Sequence, residues 1–521
     1  MEENKKQKGK LLATAAKGSM ITMVGGFLGK ALSLLLRFLI IRLLGAKYFG
    51  LYAIGTMTVE LIRIIASIGL PRGGMRFVAR SLGSEKPEQV QSIIFTSLVI
   101  PALLSLVSGV ALFYSADLLA GQWYHTPELA EIFKIFAWSI PCLTLLKAGT
   151  ELSRGFFTTR FAVLAENIVV PVLLLCFFAG FYLVRHDFIS LLYAYILANA
   201  LGAGCGLFFL YRQLRTVMRA KPFLQKRPRW SKGKFNSEVV RYSLPLFLSG
   251  ITGILMNSID IFMLGRYVSA DQVGIYAAAS MIAVFLLTTL IIPMNSMFAP
   301  LVAGKHGSGD ITSIHRLYVA TTRWMFFFAT PPVVIIIIGH SSIMAVFGQD
   351  FIEDGGTVLQ ILILGHFVNC LTGGVGQILS MAGHPKKELF ANILVAVLNI
   401  SLNVILIPRF GLVGAAAATS SSLAAVNLLR VFIIYNIFKI QPFTKKLVVF
   451  FIGTLVLVMG TLFFAESKEF DLLLAGGAGI ILTGVILAWL VEEEDRELMK
   501  KFRHRLVHRI KNSPPKKVIS E

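Results

Sequence analysis

Long apolar runs alternate with short polar segments along the whole chain. A bilayer-spanning helix needs about 20 apolar residues, and runs of roughly this length recur fourteen times. They cover 18–44, 49–70, 90–115, 131–153, 161–184, 188–210, 239–264, 273–301, 317–340, 356–382, 389–408, 412–438, 447–465 and 470–491. The pattern predicts an all-α polytopic membrane protein with fourteen transmembrane helices.

The polar interruptions divide this series of helices into segments. One long basic interruption follows the sixth run, and a basic segment with Leu498, Phe502, Leu506 and Ile510 at helical spacing follows the last. The predicted organisation is a cytoplasmic tail at 1–17, an N-terminal lobe at 18–210, a basic linker at 211–237, a C-terminal lobe at 238–438, helices 13 and 14 at 439–491, and a basic amphipathic tail at 492–521.

The two six-helix segments resemble each other at a nearly constant offset. "LLGAKYFGLYA" after the first run is echoed by "MLGRYVSADQVGIYA" after the seventh. The matched positions lie 220 to 227 residues apart: Gly45 with Gly265, Gly50 with Gly274, Pro71 with Pro293, Gly121 with Gly348, Gly149 with Gly374, and Asn167 with Asn392. Because each copy holds an even number of helices, the copies should be parallel repeats, an arrangement typical of transporters that alternate access.

Composition and charge agree with a membrane location. Only 15% of the 521 residues are charged, against about 25% in soluble domains. The net charge of +22 could indicate nucleic acid, but the basic residues lie in loops and tails. With the N-terminus inside, the inner loops together with Arg323 carry 23 Lys and Arg and the outer loops 5. This asymmetry predicts a multi-pass plasma-membrane protein with both termini cytoplasmic and no nucleic-acid partner.

No catalytic or metal-binding motif interrupts the apolar runs. The chain lacks the motifs of P-loop nucleotide binding, zinc proteolysis and serine hydrolysis. Its four cysteines lie within apolar runs and have no metal-ligand spacing. We therefore expect a protein that is not an enzyme and has no cofactor, with coupling to Na⁺ or H⁺ as an open alternative.

Charges inside the spans are the strongest candidates for function. A charge at the centre of a spanning helix costs roughly 2.5–3.5 kcal/mol on insertion scales, so each one needs a reason. Lys30 and Arg37 lie two turns apart on one face of the first helix. The primary cavity candidates are Lys30, Arg37, Glu60, Arg63, Lys147 and Glu151, and the secondary candidates are Asp260, His366, Asn399 and Asn403.

Two interpretations of these charges stay open. Glu60 with Arg63 and Lys147 with Glu151 have the i,i+3 and i,i+4 spacings of structural ion pairs within one helix. Lys30 and Arg37 have no such partner, so they should face protein or a wet cavity. A surplus of cations in a cavity between the lobes would favour an anionic substrate such as a diphosphate.

The opening "GSMITMVGGFLGKALSLLLRFLIIRLLGAKYFGLYAIGTMTVELIRIIASIGLPRGGMRFVAR" and the later "GLVGAAAAT" carry a family resemblance. Over nearly its whole length the chain resembles the Wzx-type oligosaccharide flippases, the polysaccharide-biosynthesis branch of the MOP superfamily. The resemblance implies two MATE-like lobes that move a polyprenyl-diphosphate-linked oligosaccharide to the outer leaflet for cell-surface polysaccharide synthesis. It also implies a lipid-facing groove at helices 13 and 14, basic cavity residues at Lys30, Arg37 and Arg63, and polysaccharide polymerases and glycosyltransferases as partners beside the membrane lipids.

Three other functions are weighed against this one. A lipid II flippase of the same superfamily would share the substrate chemistry. A cation-coupled multidrug exporter would favour acidic cavity residues, whereas Glu60 and Glu151 each have a basic neighbour. A membrane glycosyltransferase or polymerase would need carboxylates in large outer loops, and the outer loops here are short.

Overall fold

The computed structural model describes residues 2–83, 89–220 and 237–464 and parts of 476–485. All regular structure in these ranges is helical, with no β-strand among them. The prediction of an all-α polytopic membrane protein is confirmed.

The described part of the N-terminal half contains eight α-helices and two π-helical segments. The α-helices are α1 (Glu2–Ser67), α2 (Leu70–Gly83), α3 (Gln89–Leu118), α4 (Glu128–Ala137), α5 (Ser139–Arg154), α6 (Arg160–Val163), α7 (Val170–Arg185) and α8 (Ile189–Ala220). The π-helical segments are Leu119–Trp123, which continues α3, and Leu164–Val169, which joins α6 to α7.

The described C-terminal half continues with another eight α-helices. They are α9 (Ser237–Tyr267), α10 (Ala270–Gly307), α11 (Ile311–Ile338), α12 (His340–Ala345), α13 (Glu353–Leu371), α14 (Val375–Met381), α15 (Pro385–Phe438) and α16 (Lys445–Phe464). A single-turn 3₁₀ helix, Gln349–Phe351, lies between α12 and α13.

Eight helices in the described ranges are long and apolar enough to cross a membrane, or nine if the bent pair α4–α5 forms one span. Two of the eight are long enough for two spans each and contain a backbone break at a glycine. Gly45 in α1 has φ 84°, and Gly411 in α15 has φ 54°. Both angles lie in the left-handed region that favours glycine. The breaks separate predicted spans 1 from 2 and 11 from 12, while the total of fourteen stays a prediction.

Several predicted boundaries differ from the structure. The fourth predicted span is bent by 44° between α4 and α5, and the fifth contains a π-helical segment. Helix α1 begins at Glu2 rather than at 18, and α8 continues to Ala220, into the predicted linker. The rest of the linker, from 221 to 236, and the amphipathic tail at 492–521 lie outside the described residues.

The two halves meet where two matched glycines lie against each other. A Cβ on Gly50 of α1 would overlap the carbonyl oxygen of Ala270, and a Cβ on Gly274 of α10 would overlap the carbonyl oxygen of Ala46. The contact is reciprocal, as in an interface around a two-fold axis. A two-fold axis between these glycines would produce such a contact, and the parallel orientation of the two copies stays a prediction.

Within each half the helices pack through large buried side chains. Tyr276, Tyr318, Phe133 and Phe136 are among the largest fully buried groups. Large apolar side chains such as Val184 remain exposed on the outside of the bundle. In lipid this exposure costs nothing, because the hydrocarbon is as apolar as the side chains themselves.

Candidate functional site

The π-helical segment Leu164–Val169 places a carboxylate, Glu166, between α5 and the rest of the N-terminal half. Glu166 Oε2 accepts a hydrogen bond from Lys147 Nζ at 3.1 Å and lies 3.5 Å from Arg154 Nη2. The Thr150 hydroxyl donates to the other carboxylate oxygen. With 10% of its side chain exposed, Glu166 is a buried anion held by two cations from α5.

The expected pairing of Lys147 with Glu151 is wrong. Glu151 instead accepts a hydrogen bond from Arg154 Nη1 at 2.9 Å, and Lys147 reaches across to Glu166. Lys147, Glu151 and Arg154 share one side of α5, so their spacing allows more than one pairing. The π-helical segment decides between these pairings, because it places Glu166 within reach of Lys147 and of Arg154.

The expected pairing of Glu60 with Arg63 is confirmed on α1. Arg63 donates from Nε to Glu60 Oε2 at 2.7 Å and from Nη2 to Oε1 at 2.6 Å. The pair is therefore bidentate, the strongest geometry for a guanidinium and a carboxylate. Arg63 is buried, and helix α1 packs against α5 and against the π-helical segment.

Lys30 lies on the part of α1 that packs against the π-helical segment. A Cβ on the preceding Gly29 would overlap the backbone oxygen of Asn167, so the two backbones are in close contact there. Lys30 is half-buried. The glycine therefore brings helix α1, and Lys30 with it, next to the segment that carries Glu166.

Arg37 lies farther along α1 and is exposed. Further along the same helix lies Tyr52, which is buried and packs against Tyr195 of α8. The two tyrosine rings meet edge to face, with centroids 5.9 Å apart, and Tyr195 also packs on Phe136.

These groups form one N-terminal polar cluster inside the apolar bundle. We use this name for Glu60, Arg63, Lys147, Thr150, Glu151, Arg154 and Glu166. The sequence interpretation missed Glu166, although it carries the same signal as the others, a charge inside an apolar run. It was missed because no basic residue lies within one turn of it.

A second cluster surrounds Asp260 in the C-terminal half. The Tyr276 hydroxyl of α10 donates to Asp260 Oδ2, and the Thr419 hydroxyl of α15 lies 3.3 Å from the same oxygen. The backbone N–H of Ile261 donates to Oδ1 at 3.1 Å. Asp260 is buried, and in the described parts of the chain all these partners are uncharged.

Asn399 and Asn403 lie one turn apart on α15, near Asp260. Asn403 Nδ2 donates to Asn399 Oδ1 at 3.1 Å, and both side chains are buried. Asn403 Oδ1 has no hydrogen-bond partner among the described residues. Asn399 and Thr419 line one narrow cleft. We call Asp260, Tyr276, Asn399, Asn403 and Thr419 the C-terminal polar cluster.

The structure does not bring His366 into either cluster. It is half-buried on α13 and makes no hydrogen bond with the described residues. A further, half-buried ion pair was missed, in which Arg430 Nη2 donates to Glu388 Oε1 at 2.6 Å and to Asn392 Oδ1 at 2.6 Å. In the ranges that the structure describes, no three His, Cys, Asp or Glu side chains form a metal-binding group.

A helical bundle with spanning helices and charged clusters inside it is a polytopic membrane protein. Residues 15–303 match the family described as polysaccharide biosynthesis protein, and residues 245–405 match the MatE family. The chain belongs to the polysaccharide biosynthesis protein family, whose match covers more than half of its length. The resemblance to Wzx-type flippases of the MOP superfamily is confirmed, and the protein is not an enzyme.

Curated relatives are distant in sequence. An uncharacterised membrane protein of Methanocaldococcus jannaschii is 23% identical over 433 residues, which are 81% of this chain and 98% of that protein. The probable flippase AglR of Haloferax volcanii is 26% identical over 188 residues, 36% of this chain and 39% of that protein. A probable low-salt glycan biosynthesis flippase of the same organism, Agl15, is 26% identical over 211 residues, 39% of this chain and 43% of that protein.

Solved structures share the fold. The lipid II flippase MurJ in an inward closed conformation superposes with a TM-score of 0.71 at 13% identity, covering 92% of this chain and 100% of that one. An inward-facing multidrug resistance MATE transporter superposes with a TM-score of 0.63 at 15% identity, covering 80% of this chain and 94% of that one. At these identities the likeness establishes the fold and leaves the substrate to be argued from the site.

Proposed function

We propose that this protein flips a polyprenyl-diphosphate-linked oligosaccharide from the inner to the outer leaflet, by alternating access between its two halves. The observation that carries the proposal is the charge balance inside the N-terminal half. Five basic residues, Lys30, Arg37, Arg63, Lys147 and Arg154, accompany three acidic ones, Glu60, Glu151 and Glu166. The surplus of two cations suits a diphosphate.

Lys30 and Arg37 are the residues of this set that we assign to the substrate. Lys30 is half-buried on the part of α1 that packs against the π-helical segment. Arg37 is exposed at its position along the bundle, so it can meet a ligand without first leaving a buried partner. Charge-assisted hydrogen bonds from Arg and Lys to phosphate oxygens are stronger than neutral ones.

The same pairings weigh against a cation-coupled multidrug exporter. An exporter of cationic drugs would need carboxylates facing its cavity, and in the described N-terminal half the buried Glu166 and the half-buried Glu60 and Glu151 are neutralised by neighbours. A lipid II flippase remains the second candidate, since MurJ shares the fold over 92% of this chain and its substrate also presents a diphosphate.

We further propose that the C-terminal polar cluster holds the coupling ion, Na⁺ or H⁺. A buried carboxylate without a basic partner is costly, and a proton or a small cation would neutralise it. The hydroxyl oxygens of Tyr276 and Thr419 lie beside the Asp260 carboxylate, and Asn399 lines a cleft together with Thr419. Oxygen ligands suit a hard monovalent cation.

The surroundings of the protein follow from this function. We place it in the plasma membrane, with both termini in the cytoplasm, because of the loop charge asymmetry. Its substrate would be made by glycosyltransferases on the inner face and used by a polymerase on the outer face, which makes these enzymes its expected partners. The lipid-linked glycan and the membrane lipids are the molecules it would contact directly.

A flipping assay in proteoliposomes tests the proposal. Purified protein is reconstituted with a fluorescent polyprenyl-diphosphate oligosaccharide, and an impermeant quencher reports how fast the lipid changes leaflet. We expect Lys30→Gln and Arg37→Gln to lower the rate about tenfold each, the effect of losing one charged hydrogen bond. Arg42→Gln is the matched control on the same helix, because Arg42 is also exposed and its guanidinium lies over the Phe38 ring, 5.9 Å from the centroid. Equal rates for all three variants and the wild type would contradict the proposal.

A further inference from the structure

A cavity of about 480 Å³ opens between α2, α5 and α9, next to the Glu151–Arg154 pair of the N-terminal polar cluster. Its lining includes Arg72 and Arg76 from α2, Glu151 and Arg154 from α5, and Tyr242 from α9. Helix α9 belongs to the C-terminal half, so the cavity lies where the two halves meet.

Two guanidinium groups in this cavity have no carboxylate partner in the described parts of the chain. Arg72 and Arg76 are both exposed and make no salt bridge there, whereas Arg154 is held by Glu151 at 2.9 Å and by Glu166 at 3.5 Å. The one carboxylate that lines the cavity is thus already occupied. The cavity carries a net positive charge from two residues one helical turn apart.

The guanidinium of Arg76 is held in place by an aromatic contact. It lies 4.3 Å from the centroid of the Tyr242 ring, and Tyr242 in turn packs edge to face on Phe77 at 5.6 Å. Stacking on a ring leaves the N–H groups at the edge of a guanidinium available for hydrogen bonds. Arg80, one turn further on, differs because it lies 3.6 Å from Glu238.

Helix α2 holds these arginines at the boundary of the apolar bundle. Its buried face includes Leu70, Phe77 and Val78, and Gly73 packs against Ser243 of α9. The loop charges predict this end of the bundle to be cytoplasmic. Basic residues are common at the cytoplasmic surface of membrane proteins. That preference explains why arginines lie here. It does not explain why they line a cavity formed by helices from both halves.

We propose that this cavity binds the phosphate groups of a lipid at the inner membrane surface. Side chains at i and i+4 on a helix lie about 5–6 Å apart at Cβ, so Arg72 and Arg76 can each bind one phosphate of a diphosphate. Guanidinium matches phosphate geometry with two parallel hydrogen bonds. The statement that this lipid is the transported substrate rests on the proposed function. The proposal that the cavity binds phosphate does not depend on it.

Binding of inorganic pyrophosphate to the full-length purified protein tests the site. Calorimetric titration should give at least about tenfold weaker binding for the double variant Arg72→Gln/Arg76→Gln than for the wild type. The matched control is Arg212→Gln/Arg215→Gln on α8, two exposed arginines outside the cavity, and its affinity should stay unchanged. Ala79→Glu, which adds a carboxylate to the lining, should weaken binding as well. If the wild type does not bind, or if the cavity variants bind as it does, the proposal is wrong.

Competition separates the lipid sources. Displacement of pyrophosphate by a polyprenyl diphosphate and not by phosphatidylglycerol assigns the cavity to the transported lipid. If both lipids displace pyrophosphate, the cavity binds lipid phosphates in general. If neither lipid displaces it, the proposal that the cavity binds a lipid is wrong. The proposal of a phosphate site and the proposed function can be refuted separately. Flipping can be absent while the wild type still binds pyrophosphate and the Arg72→Gln/Arg76→Gln variant binds it more weakly.

Discussion

Lys147 Nζ lies 3.1 Å from Oε2 of Glu166, a residue nineteen positions later on a π-helical segment. The contact joins α5 to the beginning of α7 across the interior of the N-terminal half. π-Helical turns inside α-helices are rare and occur frequently at functional sites. Here the π-helical segment carries the carboxylate that neutralises Lys147 and helps to hold Arg154.

Removal of the Glu166 charge should destabilise the protein. Breaking a fully buried ion pair costs roughly 3–5 kcal/mol, and we expect about 2–3 kcal/mol for Glu166→Gln because 37% of the Lys147 side chain is exposed. Thermal unfolding of the purified protein measures the loss. The exchange Lys147→Glu/Glu166→Lys should recover part of it, whereas a variant as stable as the wild type would show that the contact contributes nothing.

An added methyl group at the glycine crossing should separate the two halves. Gly50→Ala and Gly274→Ala each place a Cβ onto a backbone oxygen of the other half, and overpacking of this kind costs about 1–3 kcal/mol. Thermal unfolding should therefore begin at a lower temperature in both variants. Gly204→Ala on α8 is the control, since a Cβ there meets nothing within 4 Å. Equal losses at all three positions would argue against a specific crossing.

Neutralisation of Asp260 should abolish coupling and leave the protein stable. Asp260→Asn keeps the shape of the side chain and an oxygen that accepts the hydrogen bond from the Tyr276 hydroxyl. It removes a negative charge that has no basic partner among the described residues. We expect flipping to lose its dependence on Na⁺ or on a pH gradient, with a midpoint of unfolding that is unchanged or higher. Asp271→Asn, an exposed acidic residue of α10, is the control. Ion dependence that survives in Asp260→Asn would exclude this carboxylate as the coupling site.

The orientation of the chain can be tested with reporter fusions. The distribution of Lys and Arg predicts that reporters fused after residues 225 and 521 report a cytoplasmic location. A fusion after Asp187, between α7 and α8, should report the outer side. A cytoplasmic signal at 187, or an external one at 225 or 521, would contradict the predicted topology.

The sequence by itself was sufficient for features that depend on local spacing or on bulk composition. Apolar run length predicts spanning helices because hydrocarbon thickness sets their length, and the structure is all-helical. Glu60 and Arg63 could be paired from sequence because three residues along one helix always bring side chains together. The internal repeat likewise marked Gly50 and Gly274 as equivalent positions.

Only the tertiary structure decided which elements meet. That Gly50 and Gly274 touch each other depends on where the two copies pack. Lys147 binds Glu166 rather than Glu151 because a π-helical turn, invisible in the hydrophobic pattern, brings a carboxylate from another helix within reach. In the sequence, Arg72 and Arg76 are only inner-loop charges. The structure shows that α9 places Tyr242 beside Arg76. Contacts within a helix follow from its fixed pitch, whereas contacts between helices depend on rotation and packing that local sequence does not specify.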